Sequence, residues 1–264
     1  MVTRPIFVPN PGSGPLVKRI EVPLKWHGGF ALVQSRKNIA ALHAGAEREG
    51  IYPMLEISSK SEQQLGVSLS AFNLQLRHPK IGRLPVEAAF QGSKVFEHGG
   101  PFREFYNLQG REIKKDPRLK ESGALIHFDL AGQRWPLKPV TGFYDWVYLK
   151  ALRQNSDLHE PILDYAGFTD IAFNPNKSLN CQARSVALFV ELHNRGLLDD
   201  ALENPEAFLE ILRQAERPKP LGVQETDTLL LKTGQAQATK PKHGKKPKKS
   251  SSEDVQYELF AEAA

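Results

Sequence analysis

From about Arg217 onward, proline, lysine, glutamine, threonine and serine take over and apolar residues become sparse. A stretch of that composition cannot bury enough surface to offset the entropy of ordering it. Folding is therefore confined to about residues 1–215, and residues 216–264 are expected to form a disordered lysine-rich tail. The remaining length suffices for one good core or two small ones, and one is the simpler expectation.

The charge balance follows the same division. The whole chain carries 35 lysines and arginines against 30 acidic residues, a formal net charge of +5. Six of the lysines fall in "KPKHGKKPKK" at 240–249, and without them the net charge is −1. The basic character belongs to the tail, so a basic DNA-reading body is excluded as a reading of net charge. A single cysteine, Cys181, rules out a disulfide framework and a cysteine-based zinc site. The N-terminus lacks an apolar signal region and the longest apolar runs, such as "VALFV" at 186–190, are too short to span a bilayer. A cytoplasmic protein without membrane contact is expected.

Periodicity predicts an α+β chain, rich in helices, with small sheets and hairpins. Strands are expected at 18–26, where Pro23 suits an edge, within 52–61, leading into a polar loop, and at 68–78, where Phe72, Leu74 and Leu76 alternate with Asn73, Gln75 and Arg77. Helices are expected at 35–50 with Ser35 as N-cap and Gly50 as terminator, at 141–155, from about Ser178 to Gly196, and over "NPEAFLEILRQAE". "ALIHFDLAGQRWPL" at 124–137 has the pattern of a hairpin turning near Ala-Gly.

"VEAAFQGSKVFEHGG" at 86–100 is the chemically suggestive stretch. As a helix it places Glu87, Gln91 and Lys94 at i, i+4 and i+7 on one narrow stripe, while the rest of each turn is small or apolar. An outward polar face and the wall of a pocket both fit that pattern. Other polar residues sit at element edges: Ser70 and Asn73 beside Phe72, Lys115 with Asp116, Asp145 beside Trp146, Asp170, and the group Asn180, Gln182 and Arg184. No Walker or dinucleotide glycine loop, HExxH or nucleophile elbow is present, and the histidines up to His193 are scattered singly, so no metal site is expected.

The ordered series "LSAFN … VEAAFQGSKVF … KKDPRLKESG … FYDW … FTDIAFNPNKSLNCQARSVALFVEL" resembles the NADAR family, over about residues 18–212. Within it, the pattern is similar to the antitoxins encoded beside DarT-type toxins, which ADP-ribosylate DNA. Two positions depart from the family pattern: Ala88 stands where a histidine is usual, and Ala71 where the strand motif has asparagine. The resemblance implies a glycohydrolase that removes ADP-ribose from guanine in DNA without a cofactor. It implies catalytic roles for Glu87, Lys94 and Asp170. It also implies a substrate pocket lined by Ser70, Phe72, Asn73, Gln91, Lys115, Trp146, Asn180, Gln182 and Arg184, with the last three binding phosphate or ribose near a helix N-terminus.

The chemistry is coherent with those residue types. ADP-ribose on an exocyclic amine is a glycosylamine that opens to an imine, and a buried lysine of depressed pKa exchanges with imines. Glu87 would carry the protons, and Gln91 would hold a ribose hydroxyl. A closed-ring route, with Glu87 or Asp170 activating water, uses the same residues. Two further readings stand beside this one: an N-glycosidase of a small phosphorylated metabolite, and a non-catalytic antitoxin that binds toxin or modified DNA. The terminal "QYELF" has the form of a peptide that docks on the DNA sliding clamp, which makes the clamp a candidate partner through Gln256, Leu259 and Phe260. A flexible linker with such an anchor raises the local concentration of the body on DNA.

Overall fold

A computed structural model describes residues 2–216 other than Phe30 and Gln109. The lysine run and the Gln256, Leu259 and Phe260 peptide lie outside the described residues.

The chain begins with an antiparallel hairpin, β1 (Val2–Pro9) and β2 (Val17–Leu24), followed by α1 (Leu32–Arg48), β3 (Met54–Glu56) and α2 (Gln64–Ser68). A second hairpin, β4 (Gln75–His78) and β5 (Gly82–Pro85), leads into α3 (Val86–Gly92) and β6 (Lys94–Phe96). After a 3₁₀ turn at Arg103–Asn107 come α4 (Gly110–Ile113), α5 (Arg118–Glu121), β7 (Leu125–Leu130) and β8 (Gln133–Trp135). The last part holds α6 (Gly142–Arg153), α7 (His159–Leu163), β9 (Gly167–Thr169), α8 (Gln182–Asn194), α9 (Leu198–Glu203) and α10 (Pro205–Glu216).

The principal sheet has the order β2-β1-β9-β3, with β9 antiparallel to β1 and parallel to β3. Alternation along β1 sends Ile6 to one face, where it packs with Val22, Leu24, Ile39, Leu42 and Ala46 beneath α1. Phe7, Leu55 and Phe168 point to the other face and join the larger core built on α6 and α8. Helices cover both faces, which explains why all three residues of β9 are buried. Gly45 permits the close seating of α1, because a Cβ there would lie 2.4 Å from Val22 Cγ1.

The mixed class with small sheets is the one expected, and Pro23 lies in an edge strand as its missing N–H requires. The 124–137 hairpin turns at Ala131 and Gly132, whose φ values of 54° and 93° are those of a tight hairpin turn. Three local expectations are corrected. The stripe helix ends at Gly92, and Lys94 opens β6, pairing with Phe128 of β7. Only Gln75–His78 of the 68–78 stretch is a strand; Ser70 instead closes a turn, accepting from the Asn73 and Leu74 amides. Helix α1 starts at Leu32, so Ser35 is a buried helical residue rather than the cap. The N-terminal strand β1, not among the expected elements, lies between β2 and β9.

Candidate functional site

The turn at 70–73 and the start of α3 are locked together, with the Val86 amide donating to Leu74 O at 3.0 Å and the Glu87 amide to Ala71 O at 2.9 Å. These bonds use amides that a helix start leaves unpaired, and they fix Glu87 against the turn. Behind this junction opens a cavity of about 330 Å³ that Ala71, Phe72, Glu87, Phe90, Gln91 and Tyr144 enclose on one side. Asp170, Phe173, Asn174, Lys177, Asn180 and Gln182 enclose it on the other, and Lys114, just after α4, closes it.

Glu87 is buried, and its Oε1 accepts from Gln91 Nε2 at 3.1 Å and lies 3.2 Å from Lys114 Nζ. The same ammonium stands 5.0 Å from the Phe72 ring centroid, so one cation holds both walls. Gln91 Oε1 and Asn180 Oδ1 are buried acceptors without a hydrogen-bond partner. A bound ligand or ordered water can complete such atoms. Tyr144 meets Phe90 edge to face at 5.1 Å, and burial pushes its phenol well above the ordinary range.

Lys94 is 1% exposed and does not line the cavity. Its Nζ stands 5.2 Å from the ring centroid of Phe90, a cavity wall. Burial brings its ammonium down to about 8, against the charge of Glu87, which favours the cation.

Asp170 follows β9 directly, and its Oδ1 accepts the Ala172 and Phe173 amides at 3.0 and 3.2 Å. Burial, together with nearby Glu56, pushes it up to about 7. Glu56 is itself buried and held by Thr169 Oγ1 at 2.6 Å, Ser58 Oγ at 2.7 Å and the Ile171 amide at 2.9 Å. The two carboxyls thus flank β9 on a shared polar base, only one of them reaching the cavity.

Gln182, at the start of α8, donates from Nε2 to Ile57 O at 2.6 Å and accepts the Ala71 amide on Oε1 at 2.8 Å. Both ends of its amide hold backbone, which makes it a strut between the chain after β3 and the turn, and its side chain also hydrogen-bonds Asp170.

Of the residues expected at the site, the cavity gathers Phe72, Glu87, Gln91, Asp170, Asn180 and Gln182. Ser70 is fully buried behind it, Asn73 faces a different cavity, and Lys115 is exposed in the turn after α4. Trp146 packs in the core, 5.2 Å from Trp135 and 5.6 Å from Phe208. Arg184 is ion-paired with Asp145, whose other oxygen accepts Ser185 Oγ at 2.7 Å. The sequence reading passed over Lys114, Tyr144, Phe173, Asn174 and Lys177. For Tyr144 the aromatic-rich helical pattern was a signal; for Lys114, only the short turn decides which of two adjacent lysines turns inward.

With two carboxyls and unpaired acceptors around one opening, and the Lys94 amine buried behind its Phe90 wall, the arrangement suits proton transfer at a polar, hydroxyl-bearing ligand. A family model described as DarT1-associated NADAR antitoxin matches residues 2–221. No curated protein matches the chain.

Proposed function

Because the chain belongs to the family of DarT1-associated NADAR antitoxins, we propose that it is a glycohydrolase that removes ADP-ribose from guanine bases in DNA, undoing the toxin's modification. The observation that carries this reading is the meeting of Glu87, Gln91 and Asp170 on one cavity, with the Lys94 amine packed behind Phe90.

ADP-ribose enters with its pyrophosphate toward the exposed Lys177 ammonium, and its ribose hydroxyls donate to Gln91 Oε1 and Asn180 Oδ1, the unpaired acceptors. The scissile bond joins ribose C1 to the exocyclic amine of guanine. Opening the ribose ring turns this glycosylamine into an imine. Lys94 adds to C1 through its neutral amine, and guanine leaves with its amine restored. Water then hydrolyses the Lys94 imine to an aldehyde, which recloses as free ADP-ribose. Protons move at each step but no electrons are exchanged, and Glu87 is the group that carries them. A pKa of about 8 leaves a usable fraction of Lys94 uncharged near neutrality.

One observation favours a second route. Lys94 is 1% exposed, whereas Asp170 lines the cavity with a pKa of about 7. In this route the ribose stays closed, Asp170 activates the attacking water, and Lys94 acts only through its charge.

The test is an oligonucleotide carrying ADP-ribosylated guanine, incubated without added metal and followed by mass. Wild type is expected to restore the unmodified strand, and Glu87→Ala and Lys94→Ala to leave the adduct. Borohydride added during turnover traps ADP-ribose on Lys94 in the first route and nothing in the second. A wild-type protein that binds the adduct without cleaving it overturns the enzymatic reading. The same proposal extends to the tail, where the lysine run and Gln256, Leu259 and Phe260 would tether the body to DNA and the sliding clamp. Deleting the last nine residues then abolishes clamp capture in a pull-down.

A further inference from the structure

A second cavity, of about 670 Å³, lies on the far side of Phe72, and this ring borders both. The divide is thin. A Cβ built on Gly110 would lie 2.5 Å from Phe72 Cδ1 and 3.1 Å from Glu87 Cγ, so backbone, ring and carboxylate side chain meet at one point. A substrate whose scissile bond sits at Glu87 has two halves to accommodate; Glu87 lines the smaller chamber, and Phe72 and Gly110 beside it line the larger.

The lining of the larger chamber has a definite chemistry. Phe72 and Tyr106 offer aromatic surfaces, Asn73 and Asn107 offer amides, and Arg83 is exposed with no ion-pair partner among the described residues. None of the described lining residues is acidic. Tyr106 also leans on the chemistry, since its hydroxyl lies 3.4 Å from Oγ of Ser93, the neighbour of Lys94 in the chain. Aromatic faces stack bases of any sequence, amides meet base edges, and an unpaired guanidinium takes a phosphate.

Resting on the function proposed above, we infer that this chamber is the subsite for the DNA side of the substrate. It takes the bases of a single strand beside the modified guanine, with Arg83 on the backbone phosphate and Phe72 and Tyr106 against the bases. The modified base is thereby presented to Glu87 out of any duplex, as chemistry on a base requires.

The test titrates the full chain with a fluorescent, unmodified single-stranded DNA oligonucleotide, and separately with ADP-ribose. Ionic strength is set at ~0.3 M, where contacts by the lysine run are screened. Arg83→Glu is expected to weaken strand binding about tenfold or more and ADP-ribose binding less than twofold. Asn107→Asp is expected to act in the same direction, and Lys177→Glu, in the other cavity, to show the opposite preference. Strand affinity unchanged by both Arg83→Glu and Asn107→Asp overturns the inference. So does an equal loss of ADP-ribose affinity, which would make the chamber an adenosine site. A wild type that binds the strand through Arg83 yet leaves ADP-ribosylated guanine intact would sink the glycohydrolase reading while this subsite stands.

Discussion

Lys114 Nζ stands 3.2 Å from Glu87 Oε1, an ion pair in which the carboxylate is buried and the ammonium half-exposed. Burial is the main cause that lowers Lys94, and the like charge of this cation adds to it. Replacing Lys114 with alanine therefore acts on Lys94 from a distance. The pH at which Lys94 loses its proton is expected to rise above about 8, and the pH profile of kcat/KM to move upward with it. A profile that keeps its position while its height falls would limit Lys114 to substrate binding.

Asp170 gives a stability signature with the opposite sign from an ordinary ion-paired acid. Its pKa is raised to about 7 from an ordinary 3.8, so the folded state favours the neutral form. The resulting stabilisation is complete below pH 3.8 and is lost as pH rises through about 7. Asp170→Asn keeps an acceptor for the Ala172 and Phe173 amides while removing the titration. Relative to wild type it is expected to gain roughly 4 kcal/mol, on the order of 10 °C in Tm, between pH 4 and pH 8. Equal Tm differences at both pH values in thermal melts would count against a raised pKa.

Gly110 leaves no space for even a methyl group between Phe72 and Glu87. Gly110→Ala is expected to cost about 1–3 kcal/mol through overpacking, and to lower turnover tenfold or more by displacing Glu87. Thermal melts and steady-state rates on the same preparation separate the two effects.

Gln182 and Asn180 lie two residues apart on the same cavity and are expected to behave differently. Gln182→Ala strips partners from the buried Ala71 amide and Ile57 carbonyl, a loss of about 2–4 kcal/mol in denaturant unfolding. Asn180→Ala removes an acceptor that has no partner, so stability should hold within about 0.5 kcal/mol while ADP-ribose affinity falls. Calorimetric titration with ADP-ribose beside an unfolding curve checks both halves.

Arg184→Ala leaves the buried Asp145 carboxylate without its ion pair, at a cost of about 3–5 kcal/mol. ADP-ribose affinity, measured well below the melting temperature, is expected to stay the same. A drop in affinity without a drop in Tm would restore the phosphate-binding role that the sequence suggested for this arginine.

The local patterns carried much of the fold into the sequence: the 141–155 helix, the Ala131-Gly132 hairpin and the edge position of Pro23 all follow from short-range rules. Pairings distant in the chain were not readable there. Helix α3 ends at Gly92, where the close approach of Tyr106 leaves no room for a Cβ, and Lys94–Phe96 then form the strand that pairs with β7, as Val95 and Phe96 favour. The i+7 geometry assumed for Lys94 was thus incorrect, although β6 returns its side chain to the Phe90 wall of the cavity. Trp146 and Arg184 illustrate the converse. Their chemistry is suitable for a ligand, but the core and Asp145 claim them first, and composition holds no record of that competition.

The anchoring of Asp170 bears on protein engineering. It leaves the end of β9, which is paired on both edges, and its surroundings are pinned through Thr169 to Glu56, 113 positions earlier in the chain. Its position is therefore a property of sheet strands rather than of a loop, and it cannot be grafted as a short peptide. A transplant would have to carry β3, β9 and the first turn of α8 together, so the smallest portable version of the cavity spans most of the described chain.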